Sequence, residues 1–134
     1  MKLFENEAAV ISLDDTIPCL EWIGKGSLQS KTFRESEEQS LHFYREYKPN
    51  YPQLEWFVDS RKIGSLLPDD IEWVSHTILP QFEKAGLTKE AFVIPEKALG
   101  RFVVKEYSEH STSGKVTIRM FASAEEAKQW LKSG

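Results

Sequence analysis

A single cysteine, Cys19, stands in this 134-residue chain, so no internal disulfide can form and a reducing compartment is its natural setting. The histidines His42, His76 and His110 are widely separated and lack metal-ligand spacing, and none is linked by motif to the cysteine. Neither a metal site nor a cofactor is expected. No apolar run approaches the about 20 residues that a membrane helix requires. The opening MKLFENEAAVISLDD carries acids at Glu5 and Glu7 and no continuous apolar stretch, so it does not read as a secretory signal. A cytoplasmic protein is the expectation. Basic residues are outnumbered, 17 against 21 acidic, for a net charge of −4, and no Lys/Arg block occurs. That balance argues against a nucleic-acid partner, which needs a strong basic field. Internal repeats and low-complexity tracts are also absent.

What is present fits one domain over residues 1–134, long enough to bury a core and too short for two. Ala8 to Leu13 and Ile17 to Ile23 read as strands of a hairpin around Asp14-Asp15-Thr16, with Pro18 tolerated where the second begins. Ser30 reads as the N-cap of a first helix with Phe33, Leu41, Tyr44 and Tyr47 on one stripe, ended by Pro49, Asn50 and Pro52. The run LEWFVDSRKIG, Leu54 to Gly64, reads as a central strand that stops abruptly in polar residues. Pro68 with Asp69 and Asp70 opens a second helix that runs to Ala85 and is stopped by Gly86. Its inward positions are Ile71, Val74, Ile78, Phe82 and Ala85, and Pro80 should kink it by leaving the His76 carbonyl without its usual partner.

Lys89 to Pro95 reads as a strand covered on both sides. A third helix follows from about Glu96 to Tyr107, using Leu99, Phe102, Val103 and Tyr107, and Ser108 to Gly114 reads as a polar connection. Val116 to Phe121 is the last strand. The capping pair Ser123 and Glu126 starts a fourth helix packed through Ala124, Ala127 and Leu131, with Trp130 in the core and Lys128 and Lys132 toward its negative end. The order is β-β-α-β-α-β-α-β-α. The expected fold is α/β, a single mixed, mainly parallel five-stranded sheet with helices mainly on one face and the other face partly open.

WFVDSRKIG, the segment DDIEWVSHTILPQFEKAGL with the following AFVIP, and the ending IRMFASAEEAKQWL together resemble the SpoIIAA-like superfamily. That group includes STAS domains, and its fold is related to CRAL-TRIO lipid-transfer domains. The resemblance covers nearly the whole chain and closest are the small stand-alone proteins of the group. It implies an interaction or regulatory module rather than an enzyme. Relatives that antagonise anti-sigma factors carry a phosphorylatable serine where the helix after the central strand begins. Here that place reads Leu67-Pro68-Asp69-Asp70, with no hydroxyl and with Ser60 and Ser65 upstream, so the switch is left open: Asp69 either imitates the modified state or is an ordinary acidic helix start.

Two sets of residues are candidates for function. Asp59, Ser60 and Arg61, with Glu96 converging from the next strand end, offer a forked donor and an orienting carboxylate for an anion or polar head group, or else an Asx-turn with a local ion pair. Trp73, Thr77 and Pro80 lie on the outer side of the second helix, where Trp is favoured at binding hot spots. The alternative there is that the preceding loop, with Leu66 and Leu67, folds over Trp73. No base–nucleophile pair is visible and Cys19 reads as buried and inert, so no catalysis is expected. The two functional readings are a module binding a protein partner or a second copy of itself, and a carrier or sensor of a small, apolar, lipid-like ligand with its pocket near the strand ends.

Overall fold

A computed structural model describes residues 1–26, 28–110 and 114–133. The elements in chain order are β1 (Lys2–Glu5), β2 (Ala9–Asp14), β3 (Cys19–Gly24), α1 (Ser30–Tyr47), β4 (Glu55–Asp59), α2 (Pro68–Trp73), a π-helical turn (Val74–Ile78), α3 (Leu79–Lys84), β5 (Lys89–Val93), α4 (Ala98–His110), β6 (Thr117–Phe121) and α5 (Ala124–Lys132). All strands join one sheet in the order β1-β2-β3-β4-β5-β6. The β1–β2 and β2–β3 pairs are antiparallel, and β3 to β6 run parallel. The chain is therefore α/β with one mixed sheet.

The sheet has six strands where five were expected. The additional strand is β1, too short and too charged at its ends to show as an apolar run. Tertiary bonds hold it: the Met1 ammonium donates to the Leu13 carbonyl at 3.0 Å, and the Asn6 side chain accepts from the Ala8 and Ala9 amides to close the turn. Ser30 is the first helical residue of α1 rather than its cap. Gln29 holds the cap position, and the Ser30 hydroxyl donates to Asp70 at 2.8 Å.

Sequential parallel strands joined by crossovers of one hand carry α1, the second helix and α4 to the same face. There they enclose the main core with Trp22, Trp56, Val58 and Phe92 of the sheet. α2, the π turn and α3 follow one another directly, and the wide turn precedes Pro80. The Leu79 amide reaches back to the Val74 carbonyl, five residues away, so the residue that proline disturbs is absorbed as an extra one in the turn. Its consequence is that Ile78 and Leu79 are both buried, while Ala85 is only half-buried.

α4 starts two residues later than expected and continues through Ser108 to His110; residues 111–113 of the expected polar connection lie outside the described residues. Its inward face is Gly100, Val103, Val104 and Tyr107, and Leu99 and Phe102 are exposed instead of buried. Gly100 sets this phase. A Cβ there would stand 2.3 Å from the Ile63 carbonyl oxygen, so only glycine lets the helix come this close to the loop after β4.

The opposite face of the sheet is covered rather than open. α5 packs there on β4, β5 and β6, and Ala127 and Leu131 bury Cys19, Phe57, Ala91 and Val93, with Trp130 packed at the margin. No strand follows α5, so crossover handedness does not decide its side. The Ser123 hydroxyl accepts from the Glu126 amide at 3.2 Å, forming the expected cap. Lys128 serves the sheet instead of the helix dipole, lying 2.9 Å from Asp14 and 2.6 Å from Glu21 and spanning the acids of the hairpin. Glu55 on this face is buried and accepts from the Thr88 and Lys89 amides.

Asp14, Cys19 and Glu21 have ligand atoms within 4.8 Å of one another, a grouping that could hold a cation. The Lys128 ammonium already serves both carboxylates, which makes the group an ionic clamp for α5. Burial pushes the Cys19 thiol far up, so it is not a thiolate nucleophile. Partial burial opposes ionisation of Asp14, but hydrogen bonds from Lys128 and Thr16 outweigh it and lower its pKa from 3.8 to about 2. A carboxylate held down in the folded state contributes stability in full above its unfolded value and loses it as pH falls through the folded one. Lys128→Met should cost about 1–3 kcal/mol near neutral pH, less than a fully buried pair because these groups retain some solvent contact. In urea unfolding, the gap between parent and variant should shrink as pH falls from 3.8 to about 2. A gap that stays constant would contradict the clamp.

Candidate functional site

Side chains alternate across a strand, so one parity of the sheet faces the main core: Trp22 on β3, Trp56 and Val58 on β4, Glu90 and Phe92 on β5. Glu90 therefore points inward from the middle of the sheet, in register with Trp56 on one side and Ile118 on the other. On α1, Phe33, Glu37, Leu41 and Tyr44 follow helical spacing along the buried face, and this stripe turns Glu37 toward the sheet. Between the two layers lies a cavity of about 50 Å³. Phe33 and Glu37 wall it from α1, Ile71 and Val74 from the second helix, and Val103, Val104 and Tyr107 from α4. Ile63 and Leu66 close it from the loop after β4.

Three polar side chains face this apolar space. Glu90 is 1% exposed, and its Oε1 accepts from the Tyr107 hydroxyl at 2.8 Å. Glu37 is 6% exposed with its Oε2 unpartnered, and the buried Trp56 indole N–H has no acceptor. The Trp22 indole, by contrast, donates to Ser36 Oγ at 2.9 Å. Each buried polar group left unmade costs about 1–3 kcal/mol. Burial raises Glu90 from 4.5 to about 8, with the Tyr107 hydrogen bond acting in the other direction. Glu37 is raised well above the ordinary value by burial and, secondarily, by Glu90. Among the described residues, no Lys, Arg or His lines the cavity beside these acids.

At the carboxyl end of β4 the sequence candidates come together only in part. Asp59, Arg61 and Glu96 line a separate depression of about 320 Å³, with Gly24 and Lys62. Arg61 forks onto Asp59 at 3.0 and 2.7 Å, and the Arg61 amide donates to Asp59 Oδ1 at 3.2 Å, an Asx-turn with its ion pair. Burial opposes ionisation of Asp59, but the Arg61 bonds prevail and hold its carboxyl below the usual range. An incoming anion would have to displace that carboxylate. Ser60 is fully buried and donates to the Val93 carbonyl at 2.5 Å, so its hydroxyl ties two strand ends together.

Trp73 is half-buried against the main core, with the Arg34 guanidinium 4.8 Å from its ring centre. Arg34 also donates to the buried Asp70 at 2.7 Å, fastening α1 to α2. Trp73 and Thr77 share a groove of about 370 Å³ with Glu38, His42 and Gln81, while exposed Pro80 does not line it.

Glu37, Glu90 and Trp56 were not candidates on sequence grounds. The signal that could have found the acids is a glutamate in phase with apolar neighbours: Glu37 four residues from both Phe33 and Leu41, and Glu90 two from Phe92. No family model, curated protein or solved structure matches the chain.

Between pH 4.5 and about 8 the folded state keeps a proton on Glu90 that the unfolded chain has lost. Stability should therefore fall as pH rises through that window, by at most ~1.4 kcal/mol per pH unit for one group. Glu90→Gln keeps the shape and removes the ionisation. Its stability relative to the parent should climb through the window and level off above it, and Glu37→Gln should move in the same direction. Urea midpoints that stay parallel at every pH would contradict a buried neutral acid.

Proposed function

We propose that the chain is a non-catalytic ligand-binding domain, a carrier or sensor that holds a small molecule in the cavity between its helices and sheet. One observation carries this reading: a partly open apolar cavity among whose lining residues Glu37 has a carboxyl oxygen, and Trp56 an indole N–H, buried without a hydrogen-bond partner. Apolar walls with a few convergent polar groups are the usual make-up of a ligand site. Among the described residues the wall supplies acids but no Ser, Cys, His or Lys to act as a nucleophile or its base, which favours binding over catalysis. The resemblance of the sequence to the SpoIIAA-like superfamily, whose fold is related to CRAL-TRIO domains, is in line with this reading by analogy. At about 50 Å³ the space is smaller than the ~150 Å³ cavity that takes benzene, so the ligand has few heavy atoms.

A protein partner or a second copy of the chain is the other reading. The groove beside Trp73 and Thr77 favours it, because an aromatic side chain at the margin of a helix pair is a common anchor.

A ligand that binds only the folded state stabilises it, by ~2.7 kcal/mol at a hundred times its Kd. Thermal unfolding with ethanol, acetone, ethylammonium and acetate should show a rise with at least one of them. Val74→Phe, which fills the space, should fold and lose that rise, although the larger ring costs about 1–3 kcal/mol of stability. The more conservative Val104→Leu should reduce it. No rise with any probe, or a rise unaffected by both variants, would contradict the cavity as the site.

A further inference from the structure

We propose that the cavity takes a small organic amine as its ammonium ion, seated between Glu37 and Glu90 and enclosed by aromatic rings. This rests on the reading of the cavity as a ligand site and names the chemistry of its occupant. Among the described residues, every ionisable group on the wall is acidic: α1 contributes Glu37, β5 contributes Glu90 and α4 contributes Tyr107, while β3, β4, α2 and the π turn contribute none. An anion would meet two carboxyl groups and, among the described residues, no cation, which disfavours that class. A neutral guest brings hydrogen bonds but no charge to match a carboxylate. An ammonium ion meets the unpartnered Glu37 Oε2 with its N–H donors and replaces an isolated buried acid with a hydrogen-bonded ion pair.

The walls suit the same guest. Trp22, Phe33, Trp56 and Phe92 line the same cavity as Glu37 and Glu90, and a desolvated cation within reach of such rings gains through their quadrupoles. The cavity volume limits the amine to a short alkyl chain. The protons balance simply: the ammonium enters with its charge, one carboxyl releases its proton to solvent, and the other remains neutral and donates toward the new carboxylate. Release of about one proton per ion makes binding tighten about tenfold per pH unit over the range in which that carboxyl is protonated in the free protein.

Isothermal titration with ethylammonium chloride, beside ethanol and sodium acetate at matched ionic strength, tests this in two buffers of different ionisation heat. Ethylammonium should bind with about one proton released. Glu37→Gln and Glu90→Gln should remain folded and each weaken it about tenfold or more, and Val74→Phe should abolish it. Ethanol binding as well as ethylammonium, or ethylammonium binding without proton release and unaffected by the glutamine variants, overturns the amine assignment and leaves the cavity reading standing. Failure of all three probes to bind overturns both.

Discussion

Parallel strands laid down in chain order, with crossovers of one hand, place α1, the second helix and α4 side by side over one face of the sheet. The rest of the molecule follows from that constraint. Strand parity then sends Trp22, Trp56, Glu90 and Phe92 to meet those helices, and the helical stripe of α1 delivers Glu37 to the same space. The helices do not close fully on the sheet. The Ser30 and Arg34 contacts to buried Asp70 fasten α1 to the start of α2, and the π turn at Val74–Ile78 sets how the second helix lies above the floor. A cavity lined by two carboxyl groups and, among the described residues, no counter-charge is what remains between them.

The two faces of the sheet handle charge differently. On the α5 side, Glu21 and Asp14 share Lys128, and Glu55 is met by backbone amides, so each carboxylate has donors and costs little to bury. On the cavity side, Glu90 has Tyr107 and Glu37 Oε2 has no partner. Proteins bury carboxyls without compensation where that arrangement serves a site, since the same groups could be replaced by apolar ones at a gain in stability. The contrast within one sheet is the physical basis for placing the proposed site on the helix side.

Local pattern made much of the fold legible. The buried strand around Trp56, the proline and acids that open the second helix, and the Ser123–Glu126 cap all have chemistry confined to a few neighbouring residues. β1 did not, because four residues with charged ends become a strand only by pairing with β2. The phase of α4 was hidden for a related reason: the exposed Leu99 and Phe102 look like core, whereas the buried contact is made by a glycine. The side taken by α5 depends on tertiary charge pairing across the sheet. The cavity acids were least legible, since hydrophobic periodicity passes over a glutamate even when it lies in phase with the apolar stripe. The polar residues after β4 drew attention as a strand end does, yet Asp59 and Arg61 satisfy each other there.

The acidic cavity is tested most directly by carbon-13 NMR of the Glu37 and Glu90 side-chain carboxyls in the free protein, followed through a pH titration. The account predicts that Glu90 ionises near 8 and that Glu37 ionises well above the ordinary 4.5. Two carboxyls titrating near 4.5 would contradict it, because side chains that ionise as they do in water are in contact with water.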